Sequence, residues 1–363
     1  MNIIKRKIKN KIWHDNRCKK KLKFITKYNK NRRRTSERYM LEREIECDNQ
    51  IIHDVHSITI KCQAPQNFSI MDNTEETIGF FNYILYQMNR TKRTNKKVIF
   101  FLDLSDIQKI DTDALMYLIA LMNDLHSNIL KKYSFKGTFP EDKSVHRILT
   151  ESVFLDYVKS NRTHIIPRSN KIQIRHGTKN TPDIAREACE MVQTICNIDR
   201  IKTISLYNIL VELMDNTKNH AYTKKTMQSS SANSWYLFAE ETDDSIRFVF
   251  LDTGLGIPCT VYKNWHERLP LVKKDSEFIC SALRGDFRTE TQKDNRSKGL
   301  PQISLECIRG IIHHGTVISG KGFCRILHTK TKDVAQYKKK DLKNKISGTL
   351  FSWYISKKKE KVI

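Results

Sequence analysis

The sequence has no stretch approaching the roughly 18 consecutive apolar residues that a membrane-spanning helix needs, so no such helix is expected. An apolar signal core is also missing near the N-terminus, where lysines interrupt the chain from Lys5 onward, and a cytoplasmic location is expected. Nine cysteines are scattered without a CxxC pair or a His/Cys cluster. That scatter argues against a disulfide framework or a zinc site and fits reduced thiols. No internal repeat at solenoid periods is visible, which argues against a stacked-repeat architecture.

Acidic residues are in short supply: 65 Lys and Arg face 40 Asp and Glu, a net charge of +25. Residues 1–40 hold 16 basic residues against Asp15 and Glu37, a net of +14, leaving +11 for the other 323. An arm as basic as residues 5–38 can hold nucleic acid phosphates. A solvated, partly helical extension has the same composition. Trp13, Phe24 and Tyr28 are too few aromatics for a base-stacking platform.

A chain of 363 residues with 39% hydrophobic content can bury two ordinary cores. After the basic arm, 1–50, the pattern divides into an α/β domain over 51–160, a connector with a helix over 161–200, a second α/β domain over 201–356 and a basic tail, 357–363. In the first domain, Ser57–Gln63 alternates as a half-buried strand does, and Val98–Leu104 is a continuous apolar run expected to be covered on both faces. Helices are expected from Thr74 to Met88, with Ile78, Phe81, Ile84, Leu85 and Met88 inward, and from Asp111 to Leu125, with Leu115, Leu118, Ile119 and Met122 on one stripe. A strand over Tyr133–Phe139 and a helix over Ser144–Val158 complete this α/β order. In the connector, Pro182 suits the start of a helix running from Asp183 to Ile195.

The chemistry-bearing residues come later. On a helix spanning Leu206–Ala221, Leu206, Ile209, Leu210, Leu213 and Thr217 form the buried stripe, and Glu212, Asn216 and His220, four apart, line one edge. A carboxamide oxygen can take one position of an octahedral Mg²⁺, and a carboxylate one turn away can orient or deprotonate a water. An ordinary solvated helix edge reads the same way. Trp235–Glu240 and Ile246–Leu251 then read as a hairpin, and Asp252-Thr253-Gly254-Leu255-Gly256-Ile257 follows its second strand. A carboxylate there can accept from an exocyclic amine, and the glycines let the backbone pass close to a ligand. Lys298-Gly299-Leu300 opens another helix, whose free N–H groups suit phosphate. Ser347-Gly348-Thr349 begins a last apolar strand.

In this order, ExxxN on a helix, DxGxG after a strand, a Gly-Leu helix start and a terminal Gly-Thr, the set resembles the nucleotide-binding boxes of GHKL ATPases, the superfamily of gyrase, histidine kinases, heat-shock chaperones and mismatch-repair ATPases. The resemblance covers about 150 residues and implies an α/β sandwich with a mixed sheet that binds ATP and Mg²⁺. It assigns Glu212 as general base and Asn216 as magnesium ligand. Asp252 would meet adenine, with Gly254, Gly256 and Ile257 shaping its pocket. Lys298, Gly299 and Leu300 would meet the phosphates under a mobile lid spanning about 258–297, and Thr349 would lie near adenine through water. Ser297 stands where this box usually carries its first glycine, a departure that bears on hydrolysis more than on binding. His53, His56, His146 and His176 lack the context of a phosphoacceptor, so a conventional sensor histidine kinase is not expected.

The segment VIFFLDLSDIQKIDTDALMYLIAL is similar to the core of STAS domains, the anti-sigma-factor-antagonist fold, whose helix start carries a phosphorylatable serine. Asp113 occupies the matching position here and resembles a fixed negative charge, although Asp111 or Thr112 is also a plain helix cap. Together the resemblances imply a regulatory ATPase whose nucleotide state controls a protein contact, with ATP and a protein as partners and a homodimer left open. A serine/threonine kinase of anti-sigma-factor type and a DNA-associated ATPase using the arm 5–38 remain the alternatives.

Overall fold

In the computed structural model of the chain the described residues are 51–127, 132–151, 154, 171–220, 234–265, 274–286, 299–310, 312–327 and 335–357. The basic arm and Lys298 lie outside them. The architecture is mixed α/β, with two main sheets and two helices of the first layer lying between them.

The first sheet comprises β1 (Ile51–His53), β2 (Ser57–Gln63), β4 (Lys97–Asp103) and β6 (Tyr133–Gly137), in the order β1-β2-β4-β6. Strands β2, β4 and β6 run parallel and β1 is an antiparallel edge. A two-residue parallel pair, β3 (Asn67–Phe68) with β5 (Lys109–Ile110), lies apart. Helices α1 (Thr74–Thr91), α2 (Thr112–Ser127) and α3 (Lys143–Glu151) complete the layer. Register pairs Ile58 with Val98, Ile60 with Phe100 and Cys62 with Leu102, and all six are buried against the helices. Ile99, Phe101 and Asp103 on the opposite face are partly exposed. The expectation that β4 is covered on both faces is therefore corrected. Burial alternates because the helices pack on one side of this short parallel sheet.

The second sheet has the order β10-β11-β9-β8-β7, formed by β10 (His313–Leu327), β11 (Gln336–Ser356), β9 (Ser245–Asp252), β8 (Trp235–Glu241) and β7 (Lys171–Gly177). Expected to be mixed, it is antiparallel in each of these pairings; mixed pairing belongs to the first sheet. The hairpin read from Trp235 to Leu251 is present as β8 and β9. The helix expected in the connector is present as α4 (Pro182–Cys196), and the connector also contributes β7, which pairs with β8 and joins this layer. On the inner face, Trp235, Phe248, Phe250, Phe351 and Trp353 share a core with α4, α5 (Arg200–His220), α7 (Asp275–Arg284) and α8 (Gly299–Ile308). Helix α6 (Ile257–Trp265) starts directly after the Asp252 turn.

The outer face of the same sheet carries Tyr236, Phe238, Val249, Leu251, Ile318 and Leu350, which join the core of the first layer. This explains why α2 is buried from Asp113 to Met122 and not along a single stripe. A helix held between two sheets has no solvent side left over that span. Helix α1 meets β11 in the same way: Glu75 accepts the Lys343 N–H at 2.9 Å and the Asn344 N–H at 3.2 Å.

Candidate functional site

Local sequence positions Asp252 at the last residue of β9, where it pairs with Trp235 on one side and with Thr349 on the other. Its Oδ1 accepts the Gly254 N–H at 2.9 Å. Burial pushes its carboxyl up to about 6, against hydrogen bonds from Gly254 and Thr349 that favour the ionised form. Part of the residue still reaches solvent. A β-carbon at Gly254 would come within 2.9 Å of that same Oδ1. A side chain at this position would therefore crowd the carboxylate.

Around Asp252 the turn is closed by one side chain that sequence reasoning missed, Ser319. Strand pairing sets it opposite Thr349. Its hydroxyl accepts the Ile257 N–H at 2.9 Å, donates to the Gly348 carbonyl at 2.9 Å and lies 3.1 Å from the Thr349 hydroxyl. Gly256 and Gly348 both hold positive φ, +79° and +78°. A β-carbon on Gly348 would overlap the Asp252 carbonyl oxygen, so the approach of the two strands at this point requires glycine. Asp252, Gly254, Ile257 and Thr349 thus belong to one hydrogen-bonded cluster, and Gly256 lies close against its Ser319. No local pattern signals Ser319, since its role depends on the register of β10 against β11.

Glu212 and Asn216 sit on α5, both partly exposed, beside the stripe Leu206, Ile209, Leu210, Leu213 and Thr217, which is buried as expected. Met214, unread in the sequence, is buried as well. Gly299 is the first residue of α8, and Leu300 packs on the inner core that α5 and Phe250 share. Helix α8 packs against α5 and α7. The buried stripe of α5 joins the core that also holds Phe250 of β9, while Lys298 lies outside the described residues. Among the described residues there is no cluster of three or more His, Cys, Asp or Glu that could hold a metal. A magnesium ion here would take the Asn216 oxygen and otherwise draw on phosphate and water, as its octahedral preference permits.

The expected lid over 258–297 needs correction. Its middle is α7, a core helix with Phe278, Ile279, Cys280 and Leu283 buried. Asp275 Oδ2 accepts the Lys321 N–H at 2.8 Å, and Asp341 Oδ1 accepts the Ser276 N–H at 3.1 Å, fixing the first turn to β10 and β11. An apolar face of this size holds the helix down.

On the outer face, Asp113 is wholly buried and meets Arg247 Nη2 at 3.2 Å, and its Oδ1 accepts the Ile70 N–H. Asp111 takes Arg247 Nη1 at 3.4 Å and the Ser69 hydroxyl at 2.6 Å. Desolvation pushes Asp113 up to about 6, with the Arg247 charge opposing. Along β9 the inward-facing Ile246, Phe248 and Phe250 alternate with Arg247, Val249 and Leu251 on the outer face, so Asp113 is on the sheet face opposite the helices α5 and α8. A pocket of about 550 Å³ lies at this junction, lined by Met71, Asp72, His314, Arg325 and Tyr354 among others. It contains none of the residues the sequence singled out.

No helix among the described residues is long and apolar enough to cross a membrane. No protein-family model matches the chain, and no curated protein matches it either.

Proposed function

We propose that this chain is a magnesium-dependent ATP-binding regulatory protein, an ATPase whose nucleotide state controls a protein contact. The observation that carries the reading is the closed cluster at the end of β9. There a carboxylate oriented by the Gly254 N–H, two positive-φ glycines and the Ser319–Thr349 hydroxyl pair come together. Asp252 would accept from the adenine amine, and Thr349 would support it through water. Bound magnesium would supply charge neutralisation at the phosphates, held on the protein side by Asn216. Glu212 would orient and deprotonate the attacking water.

Regulation is supported by the continuity of β11. Ser347 donates its N–H to the Tyr117 hydroxyl of α2 at 3.2 Å, and Gly348 and Thr349 follow at once in the proposed adenine pocket. Phosphorylation of the chain's own first layer finds no support, because Asp113 carries no hydroxyl and is buried on the other face of the sheet.

The test is turnover of γ-labelled ATP by the full chain with Mg²⁺, following free phosphate and labelled protein together. Free phosphate that disappears in Glu212→Ala supports the ATPase, and labelled protein points to a kinase. Absence of any Mg-ATP binding by calorimetry overturns the reading.

A further inference from the structure

We propose that Cys280 and Cys324 are a redox modification site, forming a reversible disulfide that pins α7 to β10. Their sulfurs stand 3.0 Å apart, in direct contact, although 44 positions separate them in sequence. Both are buried, 2% and 0% exposed, one on the helix and one on the strand beneath it. Cys62, Cys189 and Cys196 instead direct their sulfurs to main-chain carbonyl oxygens.

Helix and strand are in close contact here. A β-carbon at Gly322, two residues before Cys324, would come within 2.7 Å of the Asp275 carbonyl carbon, the Ser276 nitrogen and the Ile279 side chain. The backbones are therefore already near enough for a short covalent bridge. The Arg284 and Lys339 side chains beside Cys280 are each about half exposed, so this thiol lies one side-chain layer below solvent. A small oxidant such as hydrogen peroxide can reach it.

The two thiols are not equivalent. A hydrogen bond from Cys324, together with the positive charges of Lys339 and Arg284, holds Cys280 below the usual thiol range, while Cys324 is pushed up. Cys280 is thus the nucleophile and Cys324 the resolving group. The Cys280 thiolate attacks peroxide, the O–O bond breaks, and a sulfenic acid and hydroxide form. The Cys324 sulfur then attacks the sulfenic sulfur. The S–S bond forms as the S–O bond breaks, and the oxygen leaves as water with the Cys324 proton. In sum two thiols and one peroxide give a disulfide and two waters.

Bond formation does not rest on the ATP-binding reading, because α7 is a core helix fixed to β10 and β11. The full chain is exposed to hydrogen peroxide without nucleotide, alkylated under denaturing conditions and digested without reductant, and its peptides are mapped by mass spectrometry. The expected product is one cross-linked pair carrying Cys280 and Cys324, which dithiothreitol releases. Cys324→Ala should instead trap a sulfenic acid on Cys280, captured by a cyclic 1,3-dicarbonyl probe. Because this substitution could weaken the core, the wild-type map decides. Alkylation of both residues after exposed Cys259 has oxidised, or a cross-link joining either residue to a different cysteine, overturns the proposal. A correct cross-link in a chain that binds no ATP leaves this site standing and removes only the nucleotide reading.

Discussion

Arg247 of β9 reaches Asp113 of α2 at 3.2 Å, joining the outer face of one sheet to a helix of the other layer. The carboxylate is fully buried and the guanidinium side chain only 10% exposed. Nearby Asp111 takes the second guanidinium nitrogen, so the cation is shared between two acids at the start of α2. Removing one partner of such a pair leaves a buried charge uncompensated, which costs ~3–5 kcal/mol. Arg247→Met should approach that loss in urea unfolding, and Asp113→Asn should cost less because Asp111 still holds the guanidinium. The Asp113→Leu, Arg247→Met double variant should recover most of it, since a buried pair is worth little against an apolar replacement. Additive losses would mean that the two residues do not act on one another.

Burial raises both Asp113 and Asp252 to about 6, above the 3.8 of an unperturbed aspartate. The native chain then holds these protons more tightly than the unfolded chain. Their contribution to stability is fully present below 3.8 and is lost as pH rises through about 6. The stability of the wild type relative to Asp252→Asn should therefore fall steadily across that window in a pH series of urea unfolding. ATP affinity should move the opposite way, rising through about 6 as the accepting carboxylate ionises. Parallel stability curves for the two proteins would contradict the buried environment of Asp252.

Gly348→Ala imposes a β-carbon where φ is +78° and the Asp252 carbonyl oxygen is already in the way. The left-handed backbone alone costs ~1–2 kcal/mol for an alanine, and the overlap must push β11 from β9. Thermal unfolding should show a larger loss than Gly254→Ala, which meets only a side-chain oxygen and has no positive φ. Equal melting temperatures would contradict the strand approach.

Glu212→Ala should keep Mg-ATP binding and lower phosphate release by ~10²–10⁴-fold, the usual contribution of a general base. Asn216→Ala should lose the magnesium dependence of binding. Calorimetry with and without the metal separates the two effects. An Asn216→Ala protein binding Mg-ATP at wild-type strength removes Asn216 from the metal site.

Tyr117→Phe deletes the acceptor of the Ser347 N–H, at a cost near 1 kcal/mol for one hydrogen bond. Because Ser347 is two residues from Thr349, ATP affinity should change with it although Tyr117 belongs to the other layer. Unchanged affinity would show that the first layer does not act on the pocket through this strand.

Much of the inner layer was legible from local pattern. The stripe on α5 follows from a periodicity of 3.6, and the β8–β9 hairpin with Asp252 at its end follows from two apolar runs around the acidic turn Asp243–Asp244. The same reasoning failed where burial came from a distant element. Helix α2 read as one apolar stripe because its second partner is a sheet more than a hundred residues later. The continuous apolar run in β4 suggested two covered faces, whereas Ile99 and Phe101 remain partly exposed. Strand β7 was hidden in a polar segment whose place in the sheet depends on its pairing with β8.

What the sequence alone determined is the order of the elements and the residue types offered at each end of them: a carboxylate and carboxamide on α5, an acid followed by glycines after β9, a glycine before Thr349. Local hydrogen bonding and side-chain periodicity act over a few residues, so these are written in neighbouring positions. Tertiary structure decided which of them meet. The register of β10 against β11 brings Ser319 to Thr349, and the stacking of two sheets about α2 carries Asp113 to Arg247. It also sets Cys280 on Cys324. Such contacts arise from burying faces that no short window of sequence contains, because each face is completed by residues from a separate part of the chain.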